Sequence, residues 1–131
     1  MKKLIKLVFL DIGREVSIEL EDSHSPKTVK AILENLPIEV NIIRWGDELY
    51  TENTHVVEKE ENGKRQVNIF DVAYWPEGNA LCLFYGPTPI SEGGKILAYS
   101  PVNIVGRIIT DNDEKERLLE KIKDSTRVIF K

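Results

Sequence analysis

Residues 71–89 read "DVAYWPEGNALCLFYGPTP", and the alternation inside this stretch decides the fold. Tyr74, Trp75, Phe84 and Tyr85 crowd together here, punctuated by Pro76, Gly78, Gly86, Pro87 and Pro89. The run "ALCLFY" at 80–85 has the composition of a strand. Side chains alternate across a strand, so Ala80, Cys82 and Phe84 share one face while Leu81, Leu83 and Tyr85 share the other. One set fills a core. The other is free to line a groove.

Working outward, most of the chain carries the same period of two. "KLIKLVFL" and "REVSIELE" are β-rich runs joined by "DIG", so residues 4–10 and 15–20 are expected to pair as an antiparallel hairpin, with Gly13 supplying positive φ. "IEVNIIRW", "SPVNIVGRIIT" and "TRVIF" read as further strands, Gly106 marking a bulge or a close backbone contact. Two segments have helical spacing instead. In "SPKTVKAILENLP" the residues Val29, Ile32, Leu33 and Leu36 form one apolar stripe, so a helix over 26–36 is expected. Ser25 is its expected N-cap, Pro26 opens it and Pro37 ends it. "DNDEKERLLEKIKD" is a second, short helix, with Asp113 and Glu116 at capping spacing and Leu118, Leu119 and Ile122 buried. The charge run 58–65 reads as a solvated hairpin tip centred on Asn62-Gly63. Many short strands with two helices describe a closed barrel or sandwich capped at its ends.

Composition bounds the function. At 131 residues the chain is read as one domain, 1–131, since domains typically hold about 100–200 residues. The 18 basic and 22 acidic residues leave a net charge of -4, with no basic stripe, so nucleic acid is not expected. The apolar run 4–10 is interrupted by Lys6 and is too short to span a bilayer, so no membrane segment is expected and a cytoplasmic location is. Cys82 is the single cysteine, flanked by Leu81 and Leu83, and reads as an inert packing thiol. His24 and His55 read as surface histidines. No metal-ligand spacing and no complete phosphate loop is present; "SEGGKIL" is a turn, and neither metal nor cofactor is expected. What remains is Arg44, beside Trp45 on a β-rich strand, and the aromatic run. A guanidinium stacks on rings and binds carbonyls or carboxylates.

The order of these residues resembles the cyclophilins. "SPKTVKAIL" is similar to their Ala-Pro-Lys-Thr-Val helix start, "IIRW" to their Phe-His-Arg strand, and "NALCLFYGPTP", "GGK" and "VNIVGRI" to the strands and turn that follow. "DVAYWPEGNALCLFYGPTP" looks closer still to a small prokaryotic family of cyclophilin-like proteins, of archaeal and Thermotoga type and of unsettled function. The resemblance covers residues 4–109. It implies a mainly β protein, an eight-stranded closed barrel with two capping helices, from an archaeal or thermophilic source. Carried over, Arg44 matches the arginine that polarises the prolyl amide, Phe84 the groove phenylalanine, and Trp75 and Pro76 the groove wall. The chain departs from the cyclophilin pattern at "WGDELYT", which lacks the groove glutamine, and at Phe70, where a glycine is expected.

These readings combine into a cyclophilin-like binding module without prolyl isomerase activity. Its expected site is a groove centred on Arg44 and walled by Trp75, Pro76 and Phe84, taking a small molecule or peptide. Two alternatives stand beside it: a peptidyl-prolyl isomerase with a degenerate site, in which Arg44 would be catalytic, and a non-catalytic subunit of an amide-hydrolysing complex. A homo-oligomer or a protein partner is left open.

Overall fold

The period-two runs become strands that close on themselves. In the computed structural model the backbone is described for residues 1–131, and side chains for all but Asn112, Asp113 and Glu114. The elements are β1 (Lys2–Phe9), β2 (Arg14–Glu21), α1 (Pro26–Asn35), β3 (Ile38–Trp45), β4 (Glu48–Thr51), β5 (Lys64–Val67), β6 (Asp71–Trp75), β7 (Ala80–Phe84), β8 (Ile96–Ile108), α2 (Asn112–Glu120) and β9 (Thr126–Phe130). The expected Asp113 cap of α2 lies outside the described residues.

Strand order is β2-β1-β9-β3-β4-β7-β6-β8, and β8 pairs back onto β2, so eight antiparallel strands form a closed barrel. The expected hairpin of β1 and β2 is present, with Ile5 opposite Ile18. Closure depends on Gly106. It faces Leu20 of β2, and a Cβ at this position would stand 2.2 Å from the carbonyl oxygen of Glu19. The strand also bulges here, with Val105 inserted where β6 steps from Val72 to Ala73. Both readings of this glycine hold.

Inside the barrel lie Leu7, Phe9, Ile18, Leu49, Leu83 and Phe130, all fully buried. Val29 and Ile32 of α1 join this core, with Leu33 and Leu36 half-buried against it. A second cluster lies on the opposite face of the same wall: Ala73, Cys82 and Phe84 pack against Val67, Ala98 and Val102. The reason is the length of β8. Its second half completes the barrel, while its first half pairs with β5, which lies outside the ring, and folds over the outer face of β6 and β7. No helix among the described residues is long and apolar enough to cross a membrane.

Two local expectations are corrected. Ser25 precedes α1 but its side chain makes no capping bond. The cap is Glu61, from the charge run expected to be a solvated hairpin tip. Its carboxylate accepts from the Lys27 and Thr28 backbone N–H groups at 3.1 and 3.0 Å and from the Thr28 hydroxyl at 2.8 Å. Nor does a strand precede Asn62-Gly63 to make a hairpin; residues 52–63 run as an irregular loop. Buried Asn103 pins that loop, accepting from the Glu61 N–H at 2.7 Å and donating to the Lys59 carbonyl at 2.9 Å. A remote residue can satisfy a helix end that its own neighbour leaves open.

Burial works against ionisation of Glu61, but the Thr28 and Lys27 donors outweigh it and hold its pKa below the ordinary 4.5. A depressed acid stabilises the fold above its unfolded pKa, and that stability is lost as pH falls through the folded value. Glu61→Ala is therefore expected to cost about 1 kcal/mol near neutral pH, as the loss of a cap does. In paired urea melts, the gap between parent and variant should shrink when both are acidified to about pH 3.

Candidate functional site

The outer cluster does not fill its space. Between the barrel wall and the first half of β8 lies a cavity of about 230 Å³ lined by Trp45, Glu48, Tyr50, Trp75, Cys82, Ala98, Tyr99 and Val102. Strand parity assembles it. Gly46 and Asp47 make a tight turn that sets Trp45 opposite Glu48. Two residues on, Tyr50 lies on the same face and opposite Cys82. Gly46 takes φ +61°, and a Cβ there would come within 2.8 Å of Pro89, so the turn has no room for a side chain.

Four rings stand around the cavity in edge-to-face succession. Centroids are 6.4 Å apart for Tyr50–Trp75, 6.1 Å for Trp75–Tyr99 and 6.2 Å for Tyr99–Trp45. Tyr99, 66% exposed, bridges the two tryptophans at the solvent side. Trp75 is held in orientation. Its indole N–H donates to the Ser100 hydroxyl at 2.6 Å, which donates in turn to Glu77 at 3.1 Å. Gly78 lies under the ring, where a Cβ would come within 2.5 Å of it.

The one carboxyl of this lining is Glu48, only 6% exposed. Burial pushes its pKa from 4.5 up to about 7, and the neighbouring Cys82 thiol opposes this only in part. Cys82 is itself pushed well above the ordinary thiol value, by burial and by Glu48, and stays a protonated S–H donor. Among the described residues Glu48 has no ion-pair partner. No cluster of three or more metal-ligating side chains occurs among them either.

Arg44, the expected centre of the groove, does not line this cavity. Arg44 pairs with Leu49 and so shares the face opposite to Trp45 and Glu48. Its guanidinium donates to the carbonyls of Leu119, Glu120 and Ile122, at 2.7, 3.2 and 2.6 Å from Nη2, closing the C-terminal end of α2. It also lies 5.5 Å from the centre of the Tyr85 ring. These contacts make it a cap on the last turn, where cations are favoured. Of the other expected site residues, Trp75 lines the cavity. Phe84 is fully buried in the outer cluster without lining it, and Pro76 belongs to the turn after β6. Sequence reasoning missed Trp45, Glu48, Tyr50 and Tyr99 as a group; the signal was "WGDELY", a glycine turn followed by an acid and a ring two residues apart.

The comparisons agree with this architecture. A family model described as Cyclophilin-like matches residues 3–131. The chain belongs to the cyclophilin-like family. A similar solved structure is the hypothetical protein AF2241 from Archaeoglobus fulgidus, 41% identical, with a TM-score of 0.81 over 99% of this chain and 94% of that one. McbB, solved in complex with tryptophan, has a TM-score of 0.73 over 97% of this chain and 44% of its own, at 20% identity, a likeness of fold alone. No curated protein sequence matches. Within this cyclophilin-like barrel the cavity lies on the outer wall, and the interior holds the main cluster of buried apolar side chains.

A buried acid with a raised pKa binds its proton on folding. Its contribution is therefore complete below pH 4.5, declines as pH rises toward about 7, and is a net cost above that. Glu48→Gln should be more stable than the parent at about pH 8, by at most on the order of 3 kcal/mol, with the difference fading below about pH 4.5. Denaturant melts across this range check the sign, and a carboxyl carbon NMR titration of Glu48 should show a midpoint near neutrality.

Proposed function

We propose that this cyclophilin-like barrel is a small-molecule binding module whose ligand occupies the cavity between the outer wall and β8. The observation that carries this reading is the buried Glu48 carboxyl set among four aromatic rings. Ligand sites pair apolar walls with a few placed polar groups, and a core selected only for stability gains nothing from a buried carboxyl without a countercharge. The held orientation of Trp75, through Ser100 and Glu77, supports the same reading, because a recognition surface benefits from walls fixed before the ligand arrives. Tryptophan, the ligand in the McbB structure, is one natural candidate for a screen, as are other small molecules with a hydrophobic body.

The reading assigns no prolyl isomerase activity. The arginine that the cyclophilin resemblance would use to polarise a prolyl amide is committed here to the end of α2. Polarisation requires that group at the reacting carbonyl.

The test is a titration of small aromatic and aliphatic compounds, tryptophan and indole included, followed by amide NMR shifts. Ligands should perturb residues of β4, β7 and the first half of β8, and Trp75→Ala should weaken them by tenfold or more, about 1.4 kcal/mol. Arg44→Ala should leave those affinities within about twofold, yet lower stability by about 2 kcal/mol because it orphans charge-assisted bonds. A protease-coupled assay on a proline tetrapeptide should show no turnover above the uncatalysed rate. Shifts centred on Arg44 and Tyr85 instead would overturn the location.

A further inference from the structure

We infer that the cavity selects a small organic ammonium ion, its charge enclosed by the rings of Trp45, Tyr50, Trp75 and Tyr99 and neutralised by Glu48. This rests on the binding reading above and adds the chemical class of the ligand.

The first argument is the charge inventory. The lining contains one acid and no Lys, Arg or His. Among the described residues no salt bridge reaches Glu48. A buried carboxylate without a countercharge is costly, and either it keeps its proton or a cation joins it. The protein supplies no such cation at this site, so Glu48 either keeps its proton or takes its countercharge from a ligand. The remaining groups point the same way, since ring faces carry negative electrostatic potential and attract cations.

The second argument is shape. Successive ring planes meet at 79°, 84° and 73°. A slot for a flat ligand needs parallel walls; rings turned almost perpendicular to one another make a box, which suits a rounded head group such as an alkylammonium. Aromatic boxes backed by an acid are the physical solution for ammonium recognition, because the ring faces replace part of the lost hydration while the carboxylate cancels the charge. Exposed Tyr99, in contact with both tryptophans, leaves the ligand's tail a route to solvent.

Binding is then coupled to a proton. In the empty cavity near neutral pH a large share of Glu48 is protonated. An entering quaternary ammonium favours the carboxylate, so Glu48–COOH gives Glu48–COO⁻ paired with the cation, and the proton leaves to solvent. The other titratable groups on the lining are Cys82 of β7, Tyr50 of β4 and Tyr99 of β8; β3 and β6 contribute only indoles. Affinity should therefore rise with pH through the neutral range and then level off.

Choline and its uncharged carbon isostere 3,3-dimethylbutan-1-ol test this, since they share a shape and neither titrates in that range. Amide NMR titrations of the full chain at about pH 6 and about pH 8 would be compared for the parent and Glu48→Gln. The expected result is a preference for choline of tenfold or more in the parent, larger at the higher pH. In Glu48→Gln that preference should collapse to within about twofold and lose its pH dependence. Equal affinities of the two probes in the parent would overturn the inference, as would an undiminished preference in Glu48→Gln or binding of neither probe. The tryptophan and indole titrations decide separately whether the cavity binds anything, so the ligand class can fail while the binding reading stands.

Discussion

A wall one side chain thick, buried on both faces, is the constraint on which this molecule depends. Leu49 and Glu48, Leu83 and Phe84, and Tyr74 and Trp75 are chain neighbours that strand geometry sends to opposite sides. One side completes the barrel core. The other is left apolar, and an apolar outer face has to be covered. The first half of β8 and β5 provide that cover, and they fit imperfectly, leaving a cavity between the rings and the small side chains of Ala98, Val102 and Cys82. Barrel closure and the site are therefore two consequences of one long strand, joined through the Gly106 bulge.

The strands that alternate cleanly were legible in the sequence, because burial of one face writes its period directly into residue order. The "REVSIELE" strand and the Val29–Ile32 stripe of α1 are examples. Phe70 is another kind of signal: it stands where the family resemblance expects glycine, and it takes φ +70°, the left-handed conformation glycine would adopt without cost. What stayed hidden was contact between remote segments. Glu61 reads as one charge in a polar run until the loop 52–63 is seen to cross the N-terminus of α1. Glu48 was missed for a related reason. Both are charged residues near Trp45, but the Gly46-Asp47 turn sets Glu48 on the face of Trp45, whereas Arg44 falls on the other by parity. The short strand β4 had too few residues to declare its own period, so Glu48 was not placed on a face, and Arg44 entered through the family resemblance.

The buried polar residues of the chain sort into two kinds, and the sorting bears on function. Asn103 bridges Thr28, Lys59 and Glu61. Lys115 donates to the Ile108 carbonyl at 3.1 Å and lies 3.9 Å from the centre of the Phe70 ring. Each is satisfied within the fold, and each ties a loop or helix to the barrel. The Tyr85 hydroxyl is buried without a hydrogen-bond partner among the described side chains, but its ring serves as a platform under Arg44. Groups of this kind are explained by architecture.

Glu48 belongs to the second kind. Its backbone is part of an ordinary hairpin, so an apolar residue would serve the strand equally well, and a glutamine would keep a polar group there without the charge. Nothing in the packing of β4 against β3 and β7 calls for a carboxyl. Its surroundings nevertheless have an ordered design: rings at right angles, a tryptophan oriented through a serine and an acid, and a glycine kept bare beneath that tryptophan. Fixed walls around a group that weakens the fold are the expected pattern where strain is retained for a task. The same comparison separates Glu48 from Arg44, whose contacts all serve the end of α2. In this barrel the charged residue that closes α2 and the one at the centre of the proposed site sit on opposite faces of a single hairpin, four residues apart in the chain.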